Sequence, residues 1–329
     1  MKETRVLITG VSGFIGKNLL ETLLPRENLY VVGVSRNPIG KSVINPYWWH
    51  IGRVDLMDKE DAVRITKDVD IIIHAAAISA GAKYIVGQPD FQFDNTTINT
   101  NILQAAYANG VKHFIFLSCS VLYPMDLGRP VREDDFDIGR IHPKYHAGAW
   151  IKIYGEELCR FYSGLGRTRF TVIRHSNIYG PYDKFDLERG HVFASTIAKV
   201  MNAHDGGKIV VWGEGAEERD LLHVSDLTSF IERVIASADW QYQVFNVGYG
   251  RALSVADLTA KIISASGKNL SIEYDKSKPA IENSKLTLDI SKAMEKLGWQ
   301  PEVGLEDGIR ETIDWYKRNY QREAPYEGN

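Results

Sequence analysis

Cysteine is nearly absent: Cys119 and Cys159 are the only two among 329 residues. They make no disulfide framework and do not have metal-ligand spacing, so a reducing, cytoplasmic setting and no metal are expected. An excess of one charge is missing too, since 39 Lys and Arg stand against 42 Asp and Glu for a formal net charge of −3. No basic cluster tracks a helix face, so the sequence lacks the electrostatic footprint of a nucleic-acid partner. Long hydrophobic runs are also lacking; none approaches the ~18 to 20 residues of a membrane helix. Met1–Arg5 could open a signal peptide, but Gly10 and Ser12 interrupt the apolar run behind it. There are no repeats, low-complexity tracts or evident linkers.

What is present is material for a large core: 44% hydrophobic and 25% charged residues, at a length that suggests about two domains. Short apolar runs alternate with helical patterns, the signature of a doubly wound parallel sheet of Rossmann type. The runs Val6–Thr9, Val31–Ser35, Arg53–Asp55, Asp70–His74, His113–Ser118 and Phe170–Arg174 are predicted strands. Phe14–Leu24, closed by Pro25, is a predicted helix, and so are Asn95–Asn109 and Trp150–Tyr162. Beyond them the rhythm is lost in loops around Lys184–His191 and Gly206–Arg219, while His223–Asp226 and Phe245–Gly250 read as returns to the sheet edge. The expected organisation is a dinucleotide-binding domain over 1–175 with returns near 223–250, and a smaller, discontinuous α/β nucleotide-sugar lobe over 176–222 and 251–329.

The first strand runs directly into Gly10, Ser12, Gly13, Phe14, Ile15 and Gly16, a G-x-x-G-x-x-G turn that opens a helix. Glycine permits positive φ and lets the backbone approach a pyrophosphate closely, and the helix N-terminus offers free N–H groups and a positive dipole end. The chemistry is that of a dinucleotide site. NAD-type sites place an acidic residue at the end of the second strand, on the ribose hydroxyls. Here that place holds Ser35 and Arg36, a hydroxyl and a guanidinium that suit a 2′-phosphate, so NADP(H) is expected over NAD(H). Asp55 and Leu56 follow the third predicted strand, where the carboxylate serves either the adenine amine or a helix cap.

These residues carry a resemblance that covers nearly the whole chain. The elements Gly10–Gly16, Asp70–Ala77, Asn95 with Asn101, Arg174–Pro181, Trp212–Gly213, Arg219–Asp220, Phe245–Gly248 and Leu297–Trp299 resemble the extended short-chain dehydrogenases/reductases that act on nucleotide sugars. Within them the chain is most similar to the GDP-fucose synthase group, through Pro89–Phe91, Lys152–Gly155 and Gly190–Val192. The resemblance implies that Ala75, Ala76 and Ala77 line the cofactor and that Lys152 holds the nicotinamide ribose. Asn177 and Arg219 then bind the substrate diphosphate, with Lys285 as a further phosphate contact. His191 matches an acid used in epimerisation, and a homodimer forms through Asn95–Asn109 and Trp150–Tyr162.

The pattern breaks at the proton. The family uses a Tyr four residues before the Lys, with a Ser/Thr polarising the carbonyl, but here Gly148 precedes Lys152 at that spacing and Cys119 takes the Ser/Thr place beside Ser120. Three explanations compete: a relocated group, Tyr145 or His146, brought in by an irregular helix start; a different donor such as Cys119 or His191; or lost chemistry. Val121 stands where the family's epimerising cysteine would be, and an aliphatic side chain exchanges no proton. The expected activity is therefore hydride transfer at C4 of a GDP-linked keto- or deoxy-sugar. Alternatives are a 4-epimerase or dehydrogenase that retains NAD(H), and a nucleotide-binding homologue without catalysis.

Overall fold

The structure is a computed structural model that describes residues 3–37, 48–79, 89–187, 189–277 and 285–320. Its largest element is a seven-stranded sheet of order β10-β6-β5-β4-β1-β2-β3. These strands are β1 (Thr4–Thr9), β2 (Leu29–Ser35), β3 (Trp48–Arg53), β4 (Ile71–His74), β5 (His113–Cys119), β6 (Arg169–His175) and β10 (Tyr242–Val247). Every pairing in it is parallel, and the central strands carry the buried apolar runs Val6–Ile8, Ile71–Ile73 and Phe114–Leu117, as burial on both faces requires. On one face, α1 (Phe14–Leu23) packs Leu19, Leu20 and Leu23 against Leu227, Phe230 and Ile231 of α6 (Val224–Ser237). The other face carries α2 (Lys59–Ile65), α3 (Asp94–Ala108) and α4 (His146–Gly164), which contribute Ile65, Ile102 and Cys159. From β1 the chain winds outward to β2 and β3, then returns to the other side as β4. The order therefore reverses between β1 and β4, and ligands of open α/β sheets bind outside the strand C-termini at such a point.

A second layer of smaller sheets lies beyond β6. In it β9 (Glu218–His223) pairs with β7 (Asn177–Tyr179), β11 (Ala252–Ser254) and β13 (Lys285–Leu286). A separate pair joins β8 (Lys208–Trp212) to β12 (Ser271–Asp275). Helices α5 (Val192–Asn202), α7 (Val255–Ser266) and α9 (Leu305–Tyr320) close its own core through Phe193, Ile197, Leu258, Ile262, Ile309 and Ile313. Helix α8 (Ser291–Leu297) returns to the large sheet, where Ala293 and Trp299 join the core under α6.

Three strand expectations need correction. The third strand is Trp48–Arg53, with Val54 and Asp55 outside it, ahead of a turn at Leu56 and Met57. The supposed loop 206–219 contains β8, whose alternation of exposed Lys208, Val210 and Trp212 with buried Ile209 and Val211 has the strand period. His223–Asp226 is no return to the large sheet: His223 ends β9 and caps α6, accepting at Nδ1 from the Ser225 N–H, while Val224–Asp226 are already helical.

Candidate functional site

The glycine turn is built as the strand-to-helix junction demands. Gly10 has φ +76°, and a Cβ there would stand 2.7 Å from the Ala76 Cα. Only glycine lets the turn lie against the end of β4. At Gly16 a Cβ would meet the Gly10 carbonyl carbon at 2.7 Å, so the first turn of α1 can press on the loop only without a side chain. Gly13 is exposed at the N-cap of α1 with no side chain capping the helix, which leaves its N-terminal amides open to an anion. Ser12, Phe14 and Ile15 are half-buried around it. The Thr9 hydroxyl accepts from the Ala76 N–H at 3.1 Å and meets His74 Nδ1 at 2.8 Å, locking β1 to the Ala75–Ala77 segment. Asn95 holds the next residue at both ends, accepting from the Ile78 N–H at 2.8 Å and donating to its carbonyl at 2.9 Å. Free amides, a Cβ-free cradle and the position at the sheet's reversal fit a dinucleotide pyrophosphate.

At the end of β2, Ser35 is buried and donates to the Asn37 carbonyl at 2.5 Å, whereas Arg36 is exposed and has no partner among the described residues. Asp55 accepts from the Met57 N–H at 3.1 Å, which is a turn-capping use. The N-cap of α2 is Asp58, and Leu56 is core.

The reactive end gathers at the C-termini of β5 and β6. Lys152 on α4 donates from Nζ to the Leu117 carbonyl at 2.7 Å and lies 5.4 Å from the Phe116 ring centre. Burial lowers its pKa, while Cys119 and Glu156 oppose the shift. Cys119 ends β5, and burial pushes its thiol up although the Lys152 ammonium pulls it down, so the thiol is protonated at neutral pH. Ser120 is buried in the 3-10 turn that follows.

The anticipated irregular helix start is real. Pro143–Tyr145 form a 3-10 turn and Tyr145 is the N-cap of α4, with φ −104° and ψ 3°. Half-buried, the phenol feels Arg219, Glu217 and Cys119; burial raises its pKa, and it has no hydrogen bond among the described residues. His146 is a correction: it is exposed and accepts at Nε2 from the Trp150 indole N–H at 2.9 Å, so it faces away from the site. The space beside Gly148 is occupied, since a Cβ there would lie 3.0 Å from Gln92 Oε1.

His191 occupies the N-cap position of α5 without a side-chain cap bond and is exposed as a residue; desolvation by surrounding protein and the charge of Lys184 lower its pKa. Asn177 donates to the Asp220 carbonyl at 3.2 Å, joining β7 to β9. Arg219 on β9 donates to the Glu218 carbonyl at 2.8 Å and lies within electrostatic reach of Tyr145. Lys285 is 65% exposed and pairs with Glu218 at 3.0 Å, so its charge is already engaged at the lobe's edge.

Two features escaped the sequence reading. His175, at the end of β6, pairs in register with Cys119 of β5 and Val247 of β10. Behind the rim lies a buried network. Arg174 and Glu156, each 7% exposed, pair at 2.7 Å, Ser118 donates to Glu156 at 2.5 Å, and the Tyr123 hydroxyl accepts from Arg174 at 2.9 Å and donates to Asn246 at 2.7 Å. An arginine closing the buried strand run Phe170–Ile173 was the signal in the sequence for this network. Among the described residues no cluster could hold a metal and no helix is long and apolar enough to cross a membrane.

Known proteins match this frame end to end. GDP-L-colitose synthase of Yersinia pseudotuberculosis is 28% identical, over 95% of this chain and 97% of its own. GDP-L-fucose synthase of Escherichia coli is 27% identical, over 98% and 99%. Among solved structures, UDP-glucose 4-epimerase of Thermus thermophilus in complex with NAD is 26% identical with a TM-score of 0.81, covering 98% of this chain and 100% of that one. The model of the NAD dependent epimerase/dehydratase family matches residues 6–248, and with that match the chain belongs to this family.

Proposed function

We propose that the protein is an NAD(P)-dependent nucleotide-sugar oxidoreductase that transfers a hydride at C4 of a GDP-linked keto- or deoxy-sugar. The observation that carries this reading is the joint placement of the glycine cradle and the Lys152–Cys119 rim at one end of one sheet. When bound, the nicotinamide supplies the hydride donor or acceptor. Gly10–Gly16 hold its pyrophosphate, Lys152 its ribose, and Arg36, exposed and without a partner among the described residues, supports a 2′-phosphate and thus NADP(H). Cys119, Ser120 and Tyr145 surround the reacting carbonyl, with Arg219 and Asn177 toward the diphosphate. Gly148 takes the place of the family phenol, and Val121 offers no proton for exchange at a second carbon. Relatives named for GDP-sugars support the guanine nucleotide.

The exposed Trp150, Tyr154 and Phe161 on α4 support a homodimer through α3 and α4, which light scattering would test. For the activity, the test is reduced-nicotinamide absorbance with a panel of GDP-, UDP-, CDP- and dTDP-linked 4-keto and parent sugars. NADPH oxidation by a GDP-4-keto sugar supports the reading, and silence across the panel refutes it. A retained, non-exchanging NAD(H) would instead favour a 4-epimerase or dehydrogenase.

A further inference from the structure

The phenol expected at position 148 is absent, and the Tyr145 phenol, seven residues before Lys152 rather than four, feels Arg219, Glu217 and Cys119. Another group shares the lysine. Paired residues of a parallel ladder project to the same face of a sheet, so His175 stands beside Cys119 at the strand ends, where both feel the Lys152 charge. Its Nδ1 lies 2.8 Å from the Ser176 carbonyl. A carbonyl only accepts, so this nitrogen carries the ring proton and Nε2 holds the lone pair. The ring is half-buried, and Nε2 has no partner among the described residues. The imidazole is thus fixed in one tautomer with its basic nitrogen unclaimed, next to the residue in the carbonyl-polarising place.

We propose that His175 is the proton carrier of this site, its Nε2 exchanging a proton with the reacting oxygen of the sugar in place of a tyrosine phenol. This assignment rests on the oxidoreductase reading. In the oxidative direction the carbinol C–H bond breaks and its electron pair passes with the hydrogen to the oxidised nicotinamide. The O–H bond gives its proton to Nε2, and C=O forms. In the reductive direction the imidazolium returns that proton to the oxygen as the hydride arrives.

The surroundings set which direction is easier. Burial, the Lys152 ammonium of α4 and His191 ahead of α5 all disfavour the imidazolium and bring His175 down to about 4, the Ser176 carbonyl opposing them only in part. From β5 comes Cys119, a neutral thiol, and from β10 comes Val247, without charge. At neutral pH the ring is a base, so the site is poised for alcohol oxidation, and ketone reduction gains as pH falls. A phenol would give the opposite bias, being an acid at neutral pH.

Two measurements test the assignment. Histidine ¹⁵N NMR of the cofactor-free full chain, assigned with His175→Gln, should show the Nδ1–H tautomer, neutral down to about pH 5. An Nε2–H tautomer overturns it, because the nitrogen assigned to the sugar oxygen would then hold no lone pair. In turnover, His175→Gln should lose roughly 10² to 10⁴-fold in kcat with KM little changed, as loss of a proton carrier does. His175→Ala should recover part of that rate in added imidazole. If His175→Gln keeps its kcat while Tyr145→Phe loses it, the carrier is Tyr145 and the proposal fails. Wild-type silence toward every sugar nucleotide overturns the oxidoreductase reading and this assignment together, whereas wild-type turnover with an unaffected His175→Gln variant overturns the assignment alone.

Discussion

Replacing Arg174 by Met probes the joint between fold and site. The guanidinium reaches Glu156 through three contacts, Nη2 to Oε2 at 2.7 Å and Nε to both carboxylate oxygens at 3.1 Å, and its Nη1 bonds Tyr123 and the Glu133 carbonyl, each at 2.9 Å. Burial works against its charge, but the carboxylate outweighs it and holds the arginine above its ordinary pKa. In Arg174→Met the methionine fills the volume, while Glu156 is left buried with Ser118 as its remaining donor. Breaking a buried pair from one side costs about 3–5 kcal/mol, because the surviving charge is uncompensated. Removing both charges, in Glu156→Met/Arg174→Met, should return at least about 2 kcal/mol of that loss. Urea unfolding followed by tryptophan fluorescence, read as a midpoint change at constant slope, measures both. A single-variant loss under about 1 kcal/mol, or a double variant no better than the single one, would refute the reasoning. Since Glu156 lies one turn beyond Lys152 on α4 and Arg174 directly precedes His175, the folded Arg174→Met protein should also lose kcat.

Other expectations are simpler. Gly10→Ala forces a side chain into φ +76° with its Cβ 2.7 Å from the Ala76 backbone; dinucleotide affinity by fluorescence titration should fall more than about tenfold, with a strain cost of about 1–3 kcal/mol, and unchanged affinity would count against the cradle. Arg36→Leu should weaken NADP(H) about tenfold or more and leave NAD(H) nearly unaffected, the scale of one charge-assisted bond; equal losses for both would end the 2′-phosphate reading. Asp183 is buried with Oδ2 unpartnered, and burial raises its carboxyl to about 7 from 3.8, the Lys184 N–H and charge opposing. The folded state then holds a proton that the unfolded chain has released, so stability falls as pH rises from about 4 to about 7, by up to about 4 kcal/mol. Asp183→Asn should lose this contribution, so the wild-type-to-variant difference should change across that window, and a difference independent of pH would disprove the shift.

Most of the large sheet and its glycine turn was legible in the sequence, because their determinants are local. A buried strand, a glycine turn and a helix stand within a few residues of one another, and glycine's freedom at Gly10 is written into one residue type. The strand runs around Ile71–His74, His113–Cys119 and Arg169–His175 were equally plain, since strands buried on both faces are continuous apolar runs. The second lobe was less plain. Strand β8 carries exposed and buried residues in alternation and sits among glycines, and His223–Asp226 straddles a strand end and a helix cap, which no single period describes. The outward turn of His146 was hidden for a similar reason, as its direction is set by an indole one turn along the helix.

The sequence by itself determined the sheet class, the glycine turn between β1 and α1, and the placing of Gly148 and Lys152 four residues apart on one helix, because periodicity, glycine and spacing are properties of neighbouring residues. Only the tertiary structure decided what stands beside that lysine. Strand pairing between β5 and β6 brings His175 to Cys119, the Ser176 carbonyl fixes the imidazole's tautomer, and the Arg174–Glu156 pair ties β6 to α4. Contacts between residues distant in the chain depend on register and on the packing of a helix against a sheet, and neither is encoded in any single segment.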